Sequence, residues 1–336
     1  MKLAYTEEVA LSTAPVFEKL KNQYDESYLR SMAPYIHEIN KLKKEKNAVI
    51  LAHNYQTPDI FFGVADIVGD SLKLAQEATR ADADIIIQCG VHFMAETSKI
   101  LSPEKRVFIP DLTAGCSLAE SITGADVRKL KKDNPGVPVV TYVNTTADVK
   151  AETDICCTSS NAEKIVRKLA EQGHKQVLLI PDKYLAQNIA ELVPEVEVLT
   201  WDAGRCEVHE RFTPDDIKNI REKNDNVIVM AHPECPPAVV NVCDFSGSTS
   251  QMQEYVEKNQ PESIALITEC SMSDNIAAVN LNVKMVAPCQ LCPHMKKISL
   301  PKILKCLQDE TGEIFVDSEI GKKAKISVDA MLNMSL

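Results

Sequence analysis

Short apolar runs alternate with amphipathic stretches along most of this chain, and the alternation repeats three times. The first copy opens with NAVILAHNY (47–55) and ADIVGDS (65–71), followed by a helix-period segment LKLAQEATR and ADIIIQCG (83–90). A second helical segment around MAETSKIL (94–101) leads to RVFIP (106–110). The second copy reads VPVVTYVN (137–144), TDICCTSSN (153–161), helical AEKIVRKLAEQ, QVLLIPD (176–182), another helix and VEVLTWD (196–202). The third reads NVIVMAHPE (226–234), NVCDFSGST (241–249), a helix through MQEYVEK, ESIALITE (262–269), SDNIAAVNL and VKMVAP (283–288). Continuous short apolar runs between helical segments predict strands buried on both faces, hence an α/β protein with parallel sheets. In such sheets function gathers beyond the carboxyl ends of the strands.

A cysteine stands just beyond the last strand of each copy: Cys116, Cys206 and Cys292, at intervals of 206 − 116 = 90 and 292 − 206 = 86 residues. His53, Asn144 and His232, near the ends of the first strands, precede them by 63, 62 and 60 residues. Ser71, Ser159 and Ser248, closing the second strands, precede them by 45, 47 and 44. Three soft ligands from three modules would meet at one point in a near-threefold arrangement, which suggests a shared catalytic metal centre. A four-iron cluster held by three thiolates would keep one iron open as a Lewis acid.

Residues 1–44 and 297–336 lie outside the three copies (45–130, 131–215 and 216–296). Both ends read as helical segments that pack on the core or on each other. No low-complexity linker separates the copies, so one body is expected. The net charge of −11 argues against nucleic acid as the main partner, because a phosphate backbone needs a basic face. Aromatic content of 5% leaves little for base stacking. The first residues lack the apolar stretch of a signal peptide, and no run is long enough to span a membrane. A cytoplasmic protein is expected, and disulfides are rare in that compartment. Its 11 cysteines then read as buried thiols plus ligands, with Cys156, Cys157, Cys243 and Cys306 as core filler inside apolar elements.

Ser71, Ser159 and the Ser248–Thr249 pair each stand between a strand and a helix, where a hydroxyl caps the helix and free N–H groups favour an anion. Capping alone is the plain alternative. The ends of the first strands carry His53, Asn54 and Tyr55, then Tyr142 and Asn144, then His232 and Glu234. Together they supply imidazole, phenol, amide and carboxylate for proton transfer and orientation. His209, three residues after Cys206, would lie beside the metal. The pair Cys289–Cys292 lacks the second pair a zinc site wants; Pro293 directly after it does not prohibit a redox role, which stays open on the weak support of a lone pair. Cys235 is a free thiol near the site whose offset matches none of the three cysteines. His92 alone is a weak metal signal. No Walker loop, GxGxxG or GxSxG sequence occurs.

The motifs ILAHNYQ, GDSL, GVHFMAETSKIL, YVNTTADVKA, TSSNA, GRCEVHERF, MAHPEC, SGSTSQM, LITE and CPHMK stand in this order between residues 40 and 300. In this the chain resembles the quinolinate synthases. The resemblance implies three similar α/β domains about a pseudo-threefold axis, with a central cavity and a [4Fe–4S] cluster held by Cys116, Cys206 and Cys292. It implies a transferase of NAD biosynthesis that condenses iminoaspartate with dihydroxyacetone phosphate to quinolinate, releasing phosphate and two waters. Transient contact with the enzyme producing iminoaspartate is the protein partner it implies. Substrate contacts fall to His53, Tyr55, Ser71, Tyr142, Asn144, Ser159, His209, His232, Glu234, Ser248 and Thr249. Tyr55, Tyr142, Glu234 and His209 are the catalytic candidates. Some members have a further cysteine here, but this chain has only Cys289 and Cys292; by its place before Pro293, Cys292 is the ligand. Another [4Fe–4S]-dependent hydro-lyase, separable by phosphate release, and a non-enzymatic anion- or metal-binding protein are the alternatives.

Overall fold

Twelve strands form in the computed structural model, which describes residues 3–286 and 288–335. The first sheet comprises β1 (Ala48–His53), β2 (Ile67–Gly69), β3 (Ile85–Cys89) and β4 (Arg106–Phe108). The second comprises β5 (Val139–Tyr142), β6 (Ile155–Cys157), β7 (Gln176–Ile180) and β8 (Glu197–Thr200). The third comprises β9 (Ile228–Ala231), β10 (Phe245–Ser246), β11 (Ser263–Ile267) and β12 (Lys284–Met285). Each sheet is parallel with the first strand of the copy paired to the second and third, and the third paired to the fourth. All twelve expected strands are present, each shorter than its apolar run because the flanking residues leave the ladder to turn. Ala287, inside the run expected over 283–288, lies outside the described residues, as do residues 1, 2 and 336 of the terminal segments.

The central strands are mostly apolar and buried, as in Ile85, Ile86, Ile87 of β3 and Ile264 to Ile267 of β11, so both faces must be covered. One apolar cluster draws on all three sheets, from Ile50 and Ile86 through Val140 and Leu179 to Met230 and Leu266. The terminal helices close it. Helix Glu26–Glu45 packs against helix Leu300–Asp309, and Ser318–Ser335 lies on the second copy against β6 and helix Ala147–Ala151.

An ionic clamp recurs at the start of every second strand. Asp66, Asp154 and Asp244 accept the backbone N–H of Ile50, Val139 and Val229 at 2.9, 2.8 and 2.7 Å. In return the aspartates' own N–H groups donate to the carbonyls of Ile50, Val139 and Val229. Each carboxylate also pairs with a cation of the preceding helix: Lys43 at 2.7 Å, Lys131 at 2.6 Å and Arg221 at 3.0 Å. The recurring clamp gives helix Glu26–Glu45 the same place as helices Gly124–Asp133 and Pro214–Lys223, so the repeating pattern reaches back into the N-terminal segment.

The pairing also resolves which first-strand residues are equivalent. His53 pairs with Gly69, Tyr142 with Cys157 and Ala231 with Ser246. His53 therefore corresponds to Tyr142 and Ala231, not to Asn144 and His232, because loop lengths before the cysteines differ. Ser71, Ser159 and Ser248 each follow these partners by two residues and are true equivalents.

Removing the Asp66 carboxylate leaves Lys43, whose side chain is 10% exposed, without its charge partner, whereas Lys131 is 35% exposed. Asp66→Ala is expected to cost about 2–3 kcal/mol in chemical denaturation, and Asp154→Ala about 1 kcal/mol. Equal losses would show that the burial of the cation does not decide the clamp's strength.

Candidate active site

The carboxyl ends of the first strands and the three cysteine loops open into one cavity. Its lining includes His53, Tyr55, Ser71, Cys116, Tyr142, Asn144, Ser159, Cys206, His209, His232, Glu234, Thr249 and Cys292. Of the residues expected there, Ser248 alone is not on the wall: it is buried, and its hydroxyl accepts the N–H of Gln251 in a capping box. The capping expectation holds for Ser248 only. Asp70 caps the helix beginning at Ser71, accepting the Lys73 N–H at 2.9 Å. Ser159 lies within a turn in which Asn161 accepts the N–H of Thr158, and the helix starts at Ala162. The serines at 71 and 159 thus keep their hydroxyls free of capping.

Each cysteine starts a single helical turn. The N–H groups of Glu120, Glu210 and Lys296 donate to the carbonyls of Cys116, Cys206 and Cys292 at 3.0, 3.0 and 3.1 Å. In every turn the amides two and three residues on are directed at sulfur: Leu118 and Ala119, Val208 and His209, His294 and Met295. Burial pushes the Cys116 thiol up to about 12 and raises Cys206 and Cys292, while these amides pull the other way. Three sulfurs on one wall, each with two N–H donors ready for a thiolate, fit an iron–sulfur cluster with three protein ligands.

The three turns are tied to one another. The Ser117 hydroxyl donates to the Arg205 carbonyl at 3.0 Å and accepts the Glu207 N–H at 3.2 Å. Glu207 Oε1 and His294 Nε2 are 2.8 Å apart. A Cβ added at Gly115 would lie 3.5 Å from His294 Nδ1, in van der Waals contact, so the first and third turns approach each other closely there.

Glu234 lies at the centre of the polar wall, 4% exposed. Burial works against its charge, but attraction to His232 once that ring is protonated, then His209 and the Tyr142 hydroxyl, outweigh burial and hold the carboxyl well below its ordinary range. Tyr142 O–H donates to Glu234 Oε1, and Asn144 Nδ2 lies 3.5 Å from the same oxygen. His209 Nδ1 is 2.6 Å from Glu234 Oε2 and 3.1 Å from Cys206 Sγ. Burial, then the Glu234 charge, raises both Tyr55 and Tyr142, which stay protonated.

His53 and His232 share a local device. The Nδ1 of His53 accepts the N–H of Tyr55 at 3.1 Å, and the Nδ1 of His232 accepts the N–H of Glu234 at 3.4 Å. With Nδ1 occupied as acceptor, the neutral ring carries its proton on Nε2. Burial lowers His53 to about 4 and His232 to about 3. Two neutral rings therefore face the cavity as N–H donors.

Several cysteines depart from expectation. Cys270 and Cys289 form a disulfide with Cα atoms 5.0 Å apart, joining helix Cys270–Val279 to the loop of Cys292. Neither position carried a signal for it, because their elements meet only in the third sheet. Cys156, Cys157 and Cys306 are buried thiols, as is Cys235, whose Sγ lies 3.5 Å from the Ile267 carbonyl. Cys243 is partly buried and sits in a turn after helix Pro237–Val240, not inside an element. His92 is outside the cavity and 4.0 Å from Glu96. Thr268, Asp70 and His294 are polar groups of the site that the motifs left unassigned. The first-strand ends drew attention, whereas Thr268 ends a third strand.

A family model described as quinolinate synthetase A protein matches residues 37–333. The chain belongs to this family. Its curated relatives include the quinolinate synthase of Sinorhizobium fredii, 58% identical over 332 residues covering 99% of this chain and 91% of that protein. The quinolinate synthase of Caulobacter vibrioides is 54% identical over 334 residues, 99% of this chain and 90% of its own. That of Xylella fastidiosa is 56% identical over 297 residues, 88% and 86% respectively. The relatives are enzymes of NAD biosynthesis, and the family match extends beyond the 40–300 span carried by the motifs. Among the described residues no helix is long and apolar enough to cross a membrane.

The two buried imidazoles set a pH dependence. In the unfolded chain they bind protons below about 6.5, but in the folded chain only near 4 and 3. The unfolded state therefore holds more protons in that window, and stability falls as pH drops through it, with a limiting slope of about 1.4 kcal/mol per pH unit for each ring. Denaturation between pH 7 and 4 should show His53→Asn flattening this slope. An unchanged slope would remove His53 from the account.

Proposed function

We propose that this chain condenses iminoaspartate with dihydroxyacetone phosphate to quinolinate, releasing phosphate and two waters, with a [4Fe–4S] cluster on Cys116, Cys206 and Cys292. The observation that carries this reading is the threefold cysteine turn, with paired amides directed at each sulfur. When bound, the cluster supplies a Lewis acid at the iron without a protein thiolate.

The chain's own residues divide the remaining work. The Nε2–H groups of His53 and His232, with the hydroxyls of Ser71, Ser159 and Thr249 near helix starts, suit the phosphate and carboxylates of the substrates. Ser248 supports Thr249 through its cap. Asn144 orients the substrate beside Glu234. Tyr55 and Tyr142 arrive protonated and give protons to leaving hydroxyls, while Glu234 arrives ionised and takes them. His209, between Cys206 and Glu234, holds a proton at Nδ1 beside the reacting carbon chain. The copies at 45–130, 131–215 and 216–296 act as the three domains, with 1–44 and 297–336 as helical flanks. A cytoplasmic setting, and transient delivery of iminoaspartate by its producing enzyme, complete the proposal.

Anaerobically prepared protein is expected to hold about four irons, as a [4Fe–4S] cluster does, and to form quinolinate with release of phosphate. Cys116→Ala, Cys206→Ala and Cys292→Ala should each lower iron content, and normal content in any of them removes that ligand. Turnover without phosphate release would point to the alternative, a cluster-dependent hydro-lyase.

A further inference from the structure

We propose that Thr268 is a positioning residue for the reaction, fixing the ring of His209 and the hydroxyl of Tyr55 through one hydroxyl group. It rests on the reading that Tyr55 and His209 serve the condensation. Thr268 follows β11 in the third copy and is fully buried. Its Oγ1 lies 2.6 Å from the Tyr55 hydroxyl, contributed by the first copy, and 3.0 Å from His209 Nε2, contributed by the second. The phenol oxygen and the imidazole nitrogen are themselves 3.4 Å apart. One side chain thus joins catalytic candidates from both other copies.

The direction of the hydrogen bonds follows from what each atom can give. His209 Nδ1 faces the Glu234 carboxylate at 2.6 Å and the Cys206 sulfur at 3.1 Å. An ionised carboxylate only accepts, so the ring proton resides on Nδ1 and Nε2 is left as an acceptor. A threonine hydroxyl has one hydrogen. Given to Nε2, it leaves the oxygen lone pairs to accept the Tyr55 O–H. The chain Tyr55 → Thr268 → His209 → Glu234 then runs one way, and every member is satisfied. Replacing the hydroxyl by a methyl removes the contact 3.0 Å from buried Nε2 and the one 2.6 Å from the phenol, leaving these two groups only their own long approach at 3.4 Å.

Thr268→Val keeps the shape and removes the hydroxyl, while Thr268→Ser keeps the hydroxyl. In anaerobic protein matched for iron content, Thr268→Val is expected to lower kcat about tenfold or more with KM nearly unchanged. Thr268→Ser should stay within about threefold of wild type. Added to Tyr55→Phe, the valine should cost far less than it does alone, since the two act through one chain. If Thr268→Val fails to load the cluster, Thr268→Ala replaces it in the same comparison. Unimpaired turnover by the valine variant overturns the proposal, as does a serine variant equally damaged or a fully additive double variant. A wild-type protein that forms no quinolinate overturns the underlying reading and the proposal with it, so the two failures are told apart.

Discussion

Three aspartates, one at the start of each second strand, hold the frame on which the site depends. A strand three residues long, such as β2 or β6, has few ladder bonds and a weak register of its own. Asp66, Asp154 and Asp244 supply a carboxylate contact to the neighbouring first strand and a tie to the helix before it. A slip of one residue would turn Ser71 or Ser159 from the cavity into the sheet. The clamp is local in sequence, yet it decides where the functional ends of two strands point.

With the strand ends fixed, the cavity is organised around the buried charge of Glu234. An isolated carboxylate at that depth would protonate, so its ionisation requires the imidazoles and the phenol about it. They come from different copies: Tyr142 and His209 from the second, His232 from the third. The stacking of His209 on His232, with ring centroids 4.6 Å apart, keeps both within reach of the charge. Electrostatics here is a reason for the copies to meet, beside the apolar cluster that all three share.

The strand order, the parallel class and the three cysteines were legible because they rest on local signals: apolar runs, loop residues and equal spacing. The polar strand ends were legible for the same reason, since a polar residue closing a buried run is conspicuous. Equating His53 with Asn144 and His232 failed because counting to the cysteine assumes equal loops, whereas pairing equates His53 with Tyr142 and Ala231. Ser71 and Ser159 looked like caps, but Asp70 takes the amide at the first helix, and Ser159 stands three residues before the second helix begins at Ala162. Thr268 and Lys296 act across copies, and nothing local in LITE or CPHMK says what they will touch. The Cys270–Cys289 bond lies within the third copy, yet it joins a helix to a loop that no local pattern pairs.

The third copy shows how side chains replace a backbone ladder where it is short. Its outer strands β10 and β12 have two residues each, so the loop carrying Cys292 receives little guidance from its sheet. Glu269, fully buried, caps its helix through the Ser271 N–H at 2.9 Å and lies 3.4 Å from the N–H of Cys292. Lys296 is 2.9 Å from Glu269 and reaches the Ser271 hydroxyl and the Tyr55 carbonyl, both at 2.6 Å. A buried ion pair adds little net stability against an apolar replacement, because desolvation offsets its attraction. Its value lies in geometry: one ammonium fixes the turn after Cys292 relative to the chain at Tyr55. The third sulfur is thus set against the first copy by Lys296, just as Ser117 sets the first turn against the second. Convergence of three ligands from separate copies needs such ties at every seam, and the seam with the weakest ladder carries the most of them.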